Sequence, residues 1–115
     1  MEEKQIYTIS RQFAIDVINL TKEVKSNFSS FNQLERCGTS VGANIREAQY
    51  AISKADFISK LHIALKECNE AEYWIDVLTE TSLIEEKVGK KLLHDCGVLR
   101  RILIESLKTS KNNNL

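Results

Sequence analysis

The sequence contains no proline and only four glycines in 115 residues, so the residues that most often interrupt helices are scarce. This scarcity excludes a fold built from many tight turns and is typical of long helices joined by short connections. An excess of either charge is also absent, because 16 basic residues balance 16 acidic ones. Proteins that bind phosphate backbones usually carry surplus Lys and Arg. Nucleic-acid binding would therefore require a local basic face or a basic partner.

Cysteine is sparse as well, and Cys37, Cys68 and Cys96 form no CxxC pair, which excludes a zinc ribbon and a thioredoxin-type motif. Three dispersed thiols are typical of free, buried cysteines in a reducing compartment. Residues 1–10 are polar and lack the apolar core of a signal peptide. No apolar run approaches the ~20 residues that span a bilayer. We therefore expect a cytoplasmic protein with no membrane partner.

Apolar residues recur at steps of three and four along four segments, which is the spacing of one face of an α-helix. The four stripes are Ile9, Phe13, Val17, Leu20 and Val24; Leu34, Cys37, Val41, Ile45, Ala48 and Ile52; Phe57, Leu61, Ala64, Cys68, Ala71, Ile75 and Leu78; and Val88, Leu92, Cys96, Leu99, Leu103 and Leu107. The first helix is predicted at about residues 7–26, and capping-box spacings predict helix starts at Ser30, Ser53 and Ser82.

Short connections place consecutive helices antiparallel, so the pattern predicts an all-α fold, an antiparallel up-down-up-down four-helix bundle. The length suits a single domain over residues 1–115. The polar residues from about 109 to 115 are predicted to be a disordered tail.

Several helices carry apolar residues outside their main stripe. These residues are Ile15, Ile18, Ile58, Ile63, Leu65, Trp74, Val77, Leu93, Val98, Ile102 and Ile104. A monomeric bundle needs one apolar stripe per helix, and contiguous apolar surface usually marks an interface. The surplus therefore predicts a homo-oligomer in preference to a monomer. The candidate interface residues are Ile15, Ile18, Gly38, Gly42, Ile63, Trp74 and Val77.

The second helix contains unusual residues for a helix interior. Gly38 and Gly42 each lower the stability of a helix by about 1 kcal/mol relative to alanine. Close approach of another helix can offset this loss. Tight packing within the bundle is the favoured explanation, and contact with a second subunit or a ligand is the alternative. A polar stripe on the opposite flank predicts a hydrogen-bond network, with a ligand site as the less common alternative. The predicted network comprises Ser40, Asn44, Glu47, Lys66 and Glu70.

Catalytic and metal-binding motifs are missing. The Glu-x-x-His spacing of di-iron bundles is absent, since Ser59 precedes His62 and Lys91 precedes His94 by three residues. His94 and Cys96 are two apart and diverge on a helix, and no phosphate-binding glycine loop or nucleophile elbow occurs. We therefore expect no enzymatic activity, cofactor, metal or small-molecule substrate.

Residues 38–48, with the sequence GTSVGANIREA, resemble the signature of the bacterial four-helix-bundle family. Its members are also called 23S rRNA intervening-sequence proteins or S23-type ribosomal proteins. The resemblance continues through Ser53, residues 56–58, 60–61 and 63–67, Glu70 and residues 73–74. It implies an antiparallel four-helix bundle that assembles as a ring-like homopentamer, which would account for the surplus apolar residues.

A related branch of this family works with a reverse transcriptase and nucleic acid through a strongly basic surface. Where many intervening-sequence members have two arginines, this chain has Glu35 and Arg36.

Two hypotheses for the function follow. The first is a non-enzymatic oligomeric assembly or protein-interaction module, and the second is an RNA- or DNA-associated accessory protein linked to rRNA or a reverse transcriptase. For the second, the candidate contacts on the assembled ring are Arg36, Arg46, Lys54, Lys60, Arg100 and Arg101.

Overall fold

The computed structural model describes residues 2–24 and 29–112, which form four helices and no strand. The helices are α1 (Glu2–Glu23), α2 (Ser29–Gln49), α3 (Lys54–Glu80) and α4 (Glu86–Asn112). Each helix lies beside the next in the chain and α4 returns to lie beside α1, whereas no Cα atoms of the diagonal pairs α1–α3 and α2–α4 come within 8 Å of each other in the described residues. The helices therefore occupy the corners of a square in a body of 49 × 21 × 19 Å. The predicted all-α bundle is confirmed.

The four predicted stripes meet along the axis of this square and form one apolar core. Nearly all of their residues are buried or half-buried. Ile6, Phe31 and Ile84 extend the core toward the two ends of the bundle, although they lie outside the predicted stripes. None of the helices in the described part of the chain is long and apolar enough to cross a membrane.

Two stripe residues were wrongly placed in the core. Ile52 is 94% exposed because α2 ends at Gln49, where the turn bonds Tyr50 N to Glu47 O and Ala51 N to Ala48 O replace the helical pattern. Val88 is 37% exposed in the first turn of α4, where Ile84 from the preceding connection supplies the core contact.

The predicted start at Ser53 is confirmed. Its hydroxyl accepts a hydrogen bond from Asp56 N at 3.0 Å, which satisfies one of the free amides at the start of α3. The predicted start at Ser30 is wrong, because α2 already includes Ser29. The prediction at Ser82 is also wrong, since Ser82 lies in the turn after α3 with a φ of 63°, and α4 begins only at Glu86.

The connection from α3 to α4 is a Schellman motif. Leu83 N donates to Leu78 O at 2.9 Å, and Ser82 N donates to Thr79 O at 3.0 Å. These bonds satisfy carbonyl groups at the end of α3 and delay α4 until Glu86. The helix then continues to Asn112, so residues 109–112 are helical rather than part of a disordered tail. The predicted end of the first helix at residue 26 and tail residues 113–115 lie outside the described residues.

Candidate functional site

Gly38 and Gly42 lie against α1 of the same chain. A Cβ atom on Gly38 would lie 3.1 Å from Val17 Cγ2, and one on Gly42 would lie 3.2 Å from the carbonyl oxygen of Ser10. Small residues therefore allow α1 and α2 to approach closely. These contacts support the prediction that the two glycines serve packing within the bundle. Gly38 is buried, so a second subunit cannot reach it.

The predicted polar network does not form as a unit. Ser40 Oγ donates to Arg36 O at 2.7 Å, and Asn44 Nδ2 donates to Ser40 O at 2.8 Å, so both side chains bond along their own helix. Glu47 instead pairs with Lys60 at 3.2 Å. Lys66 is exposed, so of the two predicted members on α3 only Glu70 contacts α2, through its ion pair with Arg36.

Arg36, Glu67, Glu70 and Trp74 form the polar contact between α2 and α3, which we call the Arg36 cluster. The guanidinium of Arg36 donates to Glu67 Oε2 at 3.0 Å and to Glu70 Oε1 at 2.7 Å. Trp74 Nε1 donates to the second oxygen of Glu70 at 3.3 Å. Glu67 is 8% exposed, and its Oε1 has no hydrogen-bond partner within the described residues.

Arg36 and Glu70 stabilise each other in the ionised form. The hydrogen bond from Arg36 lowers the pKa of Glu70, and the hydrogen bonds to Glu70 and Glu67 raise the pKa of Arg36. One arginine thus faces two carboxylates, so the cluster leaves no unbalanced positive charge for a phosphate. Sequence reasoning missed it, although Glu67 and Glu70 are three residues apart on one helix flank.

The six basic residues proposed as nucleic-acid contacts do not share one face. Arg100 donates to Glu72 on α3 at 2.6 Å, and Lys60 pairs with Glu47 as described. The guanidinium of Arg46 faces α1, where it donates to the hydroxyl of Tyr7 and lies 5.6 Å from the centre of its ring.

Only Lys54 and Arg101 of the six have neither an ion pair nor a cation–π contact within residues 2–24 and 29–112. Since Arg36 points toward α3 and Arg46 toward α1, these basic groups lie on separate flanks of the bundle. In the single chain, their positive charge is therefore dispersed and largely compensated.

Apolar residues outside the buried core form a partly buried group and an exposed group. Ile58, Leu65, Trp74, Leu93 and Ile102 are partly buried and pack along the edge of the core. Ile15 and Val77 are also half-buried. The large apolar side chains that stay exposed are Ile18, Tyr50, Ile52, Ile63, Tyr73, Leu83, Val88 and Ile104. The first group completes the core of one chain, and the second is available to a partner.

An open cleft lies at one end of the bundle, between the start of α1, the end of α2, the start of α3 and the end of α4. We call it the end cleft, and its volume is about 1020 Å³. Its apolar lining residues are Ile6, Ile45, Ala48, Ala51, Phe57 and Leu61, and its polar ones are Gln49, Ser53, Ser106, Thr109 and Ser110. None of these side chains is charged, so an apolar group can enter without stripping water from an ion. No pattern of residues in the sequence indicates this cleft.

The three cysteines are buried and unbonded to one another. Burial raises the pKa of the Cys37 thiol to about 12, so it is protonated at neutral pH. Cys68 Sγ donates to the carbonyl oxygen of Cys96 at 3.4 Å, and a hydrogen bond with Cys68 raises the pKa of the Cys96 thiol. The described residues contain no group of three or more His, Cys, Asp or Glu side chains placed to hold a metal ion.

Comparison with known proteins agrees with the resemblance seen in residues 38–48. Residues 2–105 match the family described as 23S rRNA-intervening sequence protein. The chain is also similar to the crystal structure of a protein of unknown function from the S23 ribosomal protein family of Bacteroides thetaiotaomicron. The two chains are 40% identical with a TM-score of 0.89, and the match covers 94% of this chain and 99% of that one. No curated protein matches the chain. The chain therefore belongs to the 23S rRNA-intervening sequence protein family.

Proposed function

We propose that the protein is a non-enzymatic, cytoplasmic homo-oligomer, a ring of five chains, that serves as an assembly or protein-interaction module. The observation that carries the proposal is that, within residues 2–24 and 29–112, eight large apolar side chains stay exposed although the core of the bundle is complete. Tyr50 and Ile52 stand out, with 75% and 94% of their surfaces exposed. The number five comes from the family resemblance.

The physical argument for self-association is the hydrophobic effect. Contact with water disfavours apolar surface, and most soluble oligomers bury such surface against other copies of the same chain. Exposed apolar residues occur on two or more sides of this bundle, since Ile18 lies on α1, Ile63 on α3 and Ile104 on α4. A ring uses two different sides of each chain, which fits this distribution.

The mass of the purified protein in solution tests the proposal. Light scattering at several concentrations should give five times the 13.1 kDa mass of one chain. A stable mass of another multiple would retain the oligomer and reject the pentamer. A mass of one chain at every concentration would reject self-association, and the exposed apolar residues would then be candidates for docking a different protein.

Association with RNA or DNA is the second candidate, and the geometry of the single chain favours it less. Four of the six candidate basic residues already contact carboxylates or an aromatic ring. A retention assay on RNA at low and moderate salt separates the two functions, because phosphate binding weakens steeply as salt rises. Retention at low salt that disappears at moderate salt would favour the second candidate, and no retention at either salt would favour the first.

A further inference from the structure

Two of the three cysteines face each other across the contact between α3 and α4. Cys68 lies on the core stripe of α3 and Cys96 on that of α4, and both side chains are completely buried. Cys68 Sγ donates to the carbonyl oxygen of Cys96 at 3.4 Å. A hydrogen bond with the Cys68 thiol raises the pKa of the Cys96 thiol, so the two thiols are also in contact with each other. They therefore occupy the same layer of the core.

The helices approach closely at this layer. Ala64 and Ala71, one turn before and one turn after Cys68 on the same face of α3, are buried without any exposed surface. Their short side chains place little between the two helix backbones, and the Cys68 sulfur reaches the main chain of α4. A disulfide requires Cα atoms about 4–7 Å apart. Close approach of two helices with facing thiols is the arrangement that meets this requirement.

Cys37 is equally buried but lacks a thiol neighbour of this kind. Its sulfur donates to the carbonyl oxygen of Leu34 on its own helix at 3.6 Å, and burial raises its pKa to about 12. The hydrogen bond with Cys96 instead lowers the pKa of Cys68. Since the thiolate is the nucleophile, Cys68 is the most reactive of the three sulfur atoms. Cys96 stands beside it as the second thiol that a disulfide needs.

We propose that Cys68 and Cys96 form a redox switch, in which a peroxide converts the two thiols into a disulfide that links α3 to α4. The Cys68 sulfur attacks hydrogen peroxide and breaks the O–O bond, which gives a sulfenic acid and one water. The Cys96 sulfur then attacks the Cys68 sulfur, forms the S–S bond and releases the hydroxyl group as a second water. Two thiols are oxidised and one peroxide is reduced, and a dithiol reductant reverses the step.

The disulfide would close a loop over residues 68–96. This loop contains the second half of α3, the connection after it and the first half of α4, whereas α1 and α2 lie outside it. A cross-link removes the conformations in which such a segment opens. Oxidation should therefore hold the α3–α4 hairpin closed. The switch does not depend on the oligomeric state of the protein.

The first test uses the folded wild-type protein. It is treated with hydrogen peroxide, its remaining thiols are alkylated in denaturant, and the peptides are mapped by mass spectrometry. We expect a peptide pair linked through Cys68 and Cys96, lighter by the mass of two hydrogen atoms. Cys37 should stay alkylated and should oxidise at least about tenfold more slowly. The absence of a disulfide, a disulfide through Cys37 or one that joins two chains would overturn the proposal.

A pair of variants checks the assignment of the two thiols. Cys96→Ala removes the second thiol, and Cys37→Ala is the matched control because both residues are completely buried. Circular dichroism should show that both are folded, and Cys68→Ala takes the place of Cys96→Ala if that variant is not. Peroxide should give the intrachain disulfide in Cys37→Ala and none in Cys96→Ala. The reverse result, or a disulfide in both variants, would contradict the proposed pair.

Amide hydrogen exchange tests whether the link acts on the hairpin. We expect exchange within residues 69–95 to be at least about tenfold slower in the oxidised protein, because the disulfide suppresses local opening. Exchange in α1 and α2 should not change, and dithiothreitol should restore the original rates. Unchanged or faster exchange in residues 69–95 after complete oxidation would show that the disulfide is not a conformational switch.

Discussion

Backbone strain is concentrated at Ser82. It is the only residue other than glycine with a positive φ in the described part of the chain, and it occupies the position where a Schellman motif favours glycine. A side chain in this left-handed conformation costs about 1–2 kcal/mol. This conformation ends α3 and directs the following residues so that Ile84 packs in the core.

Replacement of Ser82 by glycine should therefore stabilise the protein. The relief of strain exceeds the extra flexibility of glycine in the unfolded chain, so we expect a gain of about 0.5–1 kcal/mol in the free energy of unfolding. Urea denaturation measures this difference. Ser82→Ala is the control, since alanine retains the Cβ atom and should give no such gain.

A matched pair of glycines tests the close approach of α1 and α2. A Cβ atom on Gly42 would press on the backbone oxygen of Ser10, whereas one on Gly97 would meet its nearest neighbour, in Arg100, only at 3.9 Å. We expect Gly42→Ala to lower the free energy of unfolding by about 1–2 kcal/mol. Gly97→Ala should raise it by up to about 1 kcal/mol, because alanine favours helix. Equal effects in urea denaturation would contradict the assignment of Gly42 to packing.

The ion pair of Glu70 predicts a pH dependence of stability. Because Arg36 lowers the pKa of Glu70 below its ordinary 4.5, the stabilisation is present above that pH and is lost as the pH falls through the lower folded-state value. Glu70→Gln should cost up to about 1 kcal/mol at pH 7, since the pair is partly exposed. The cost should shrink as the pH falls from 4.5 through the lower folded-state pKa of Glu70, as measured by urea denaturation. A cost that is unchanged at pH 3 would show that packing rather than charge is lost.

At the scale of the helix, apolar spacing was sufficient to find all four elements but not their ends. The stripe of α3 from Phe57 to Leu78 was predicted correctly, because half of that helix faces the core along its whole length. Ser53 and Ser82 both precede an acidic residue by three, yet only Ser53 is a cap. The difference is the Schellman motif after α3, which depends on backbone bonds that side-chain spacing does not reveal.

The Arg36 cluster shows the same limit for the candidate site. Sequence reasoning found the polar flank of α2 and Glu70 of α3, but it chose Lys66 where the structure has Arg36 and Glu67. Which residues pair across two helices depends on the rotation of each helix about its axis. Apolar spacing fixes that rotation only to within about one residue, which is enough to define the core and too coarse to pair charges.

The cap at Ser53 gives a test at this scale. Ser53→Ala removes the acceptor of the Asp56 amide, and we expect a loss of about 1 kcal/mol in the free energy of unfolding. Ser59→Ala is the control, because Ser59 lies within the same helix and its side chain is exposed to solvent. This substitution should change the free energy of unfolding little. Urea denaturation of both variants measures the difference. A loss no larger than that of the control would mean that the connection, rather than the cap, fixes the start of α3.

At the scale of the whole molecule, the charge balance and the surplus apolar residues were visible in the sequence, but the end cleft was not. The cleft depends on where four chain segments end relative to one another. Similarly, a list of exposed apolar residues does not show that Ile52 stands beside an uncharged cleft.

If folding and assembly are coupled, the thermal stability of the wild type should depend on its concentration. Mass action favours the folded oligomer, and a tenfold rise in protein concentration is worth about 1 kcal/mol per chain, or about 4 °C in Tm. Ile52→Asp places a charge on the most exposed large apolar side chain of the described residues, so its Tm should not change with concentration if that side chain is buried on assembly. The bundle itself should stay folded, because 94% of the Ile52 surface is exposed in the single chain. Calorimetry over a hundredfold range of concentration measures both. A concentration-dependent Tm in the variant would show that assembly uses another surface, and a constant Tm in both proteins would show that the bundle is stable without assembly.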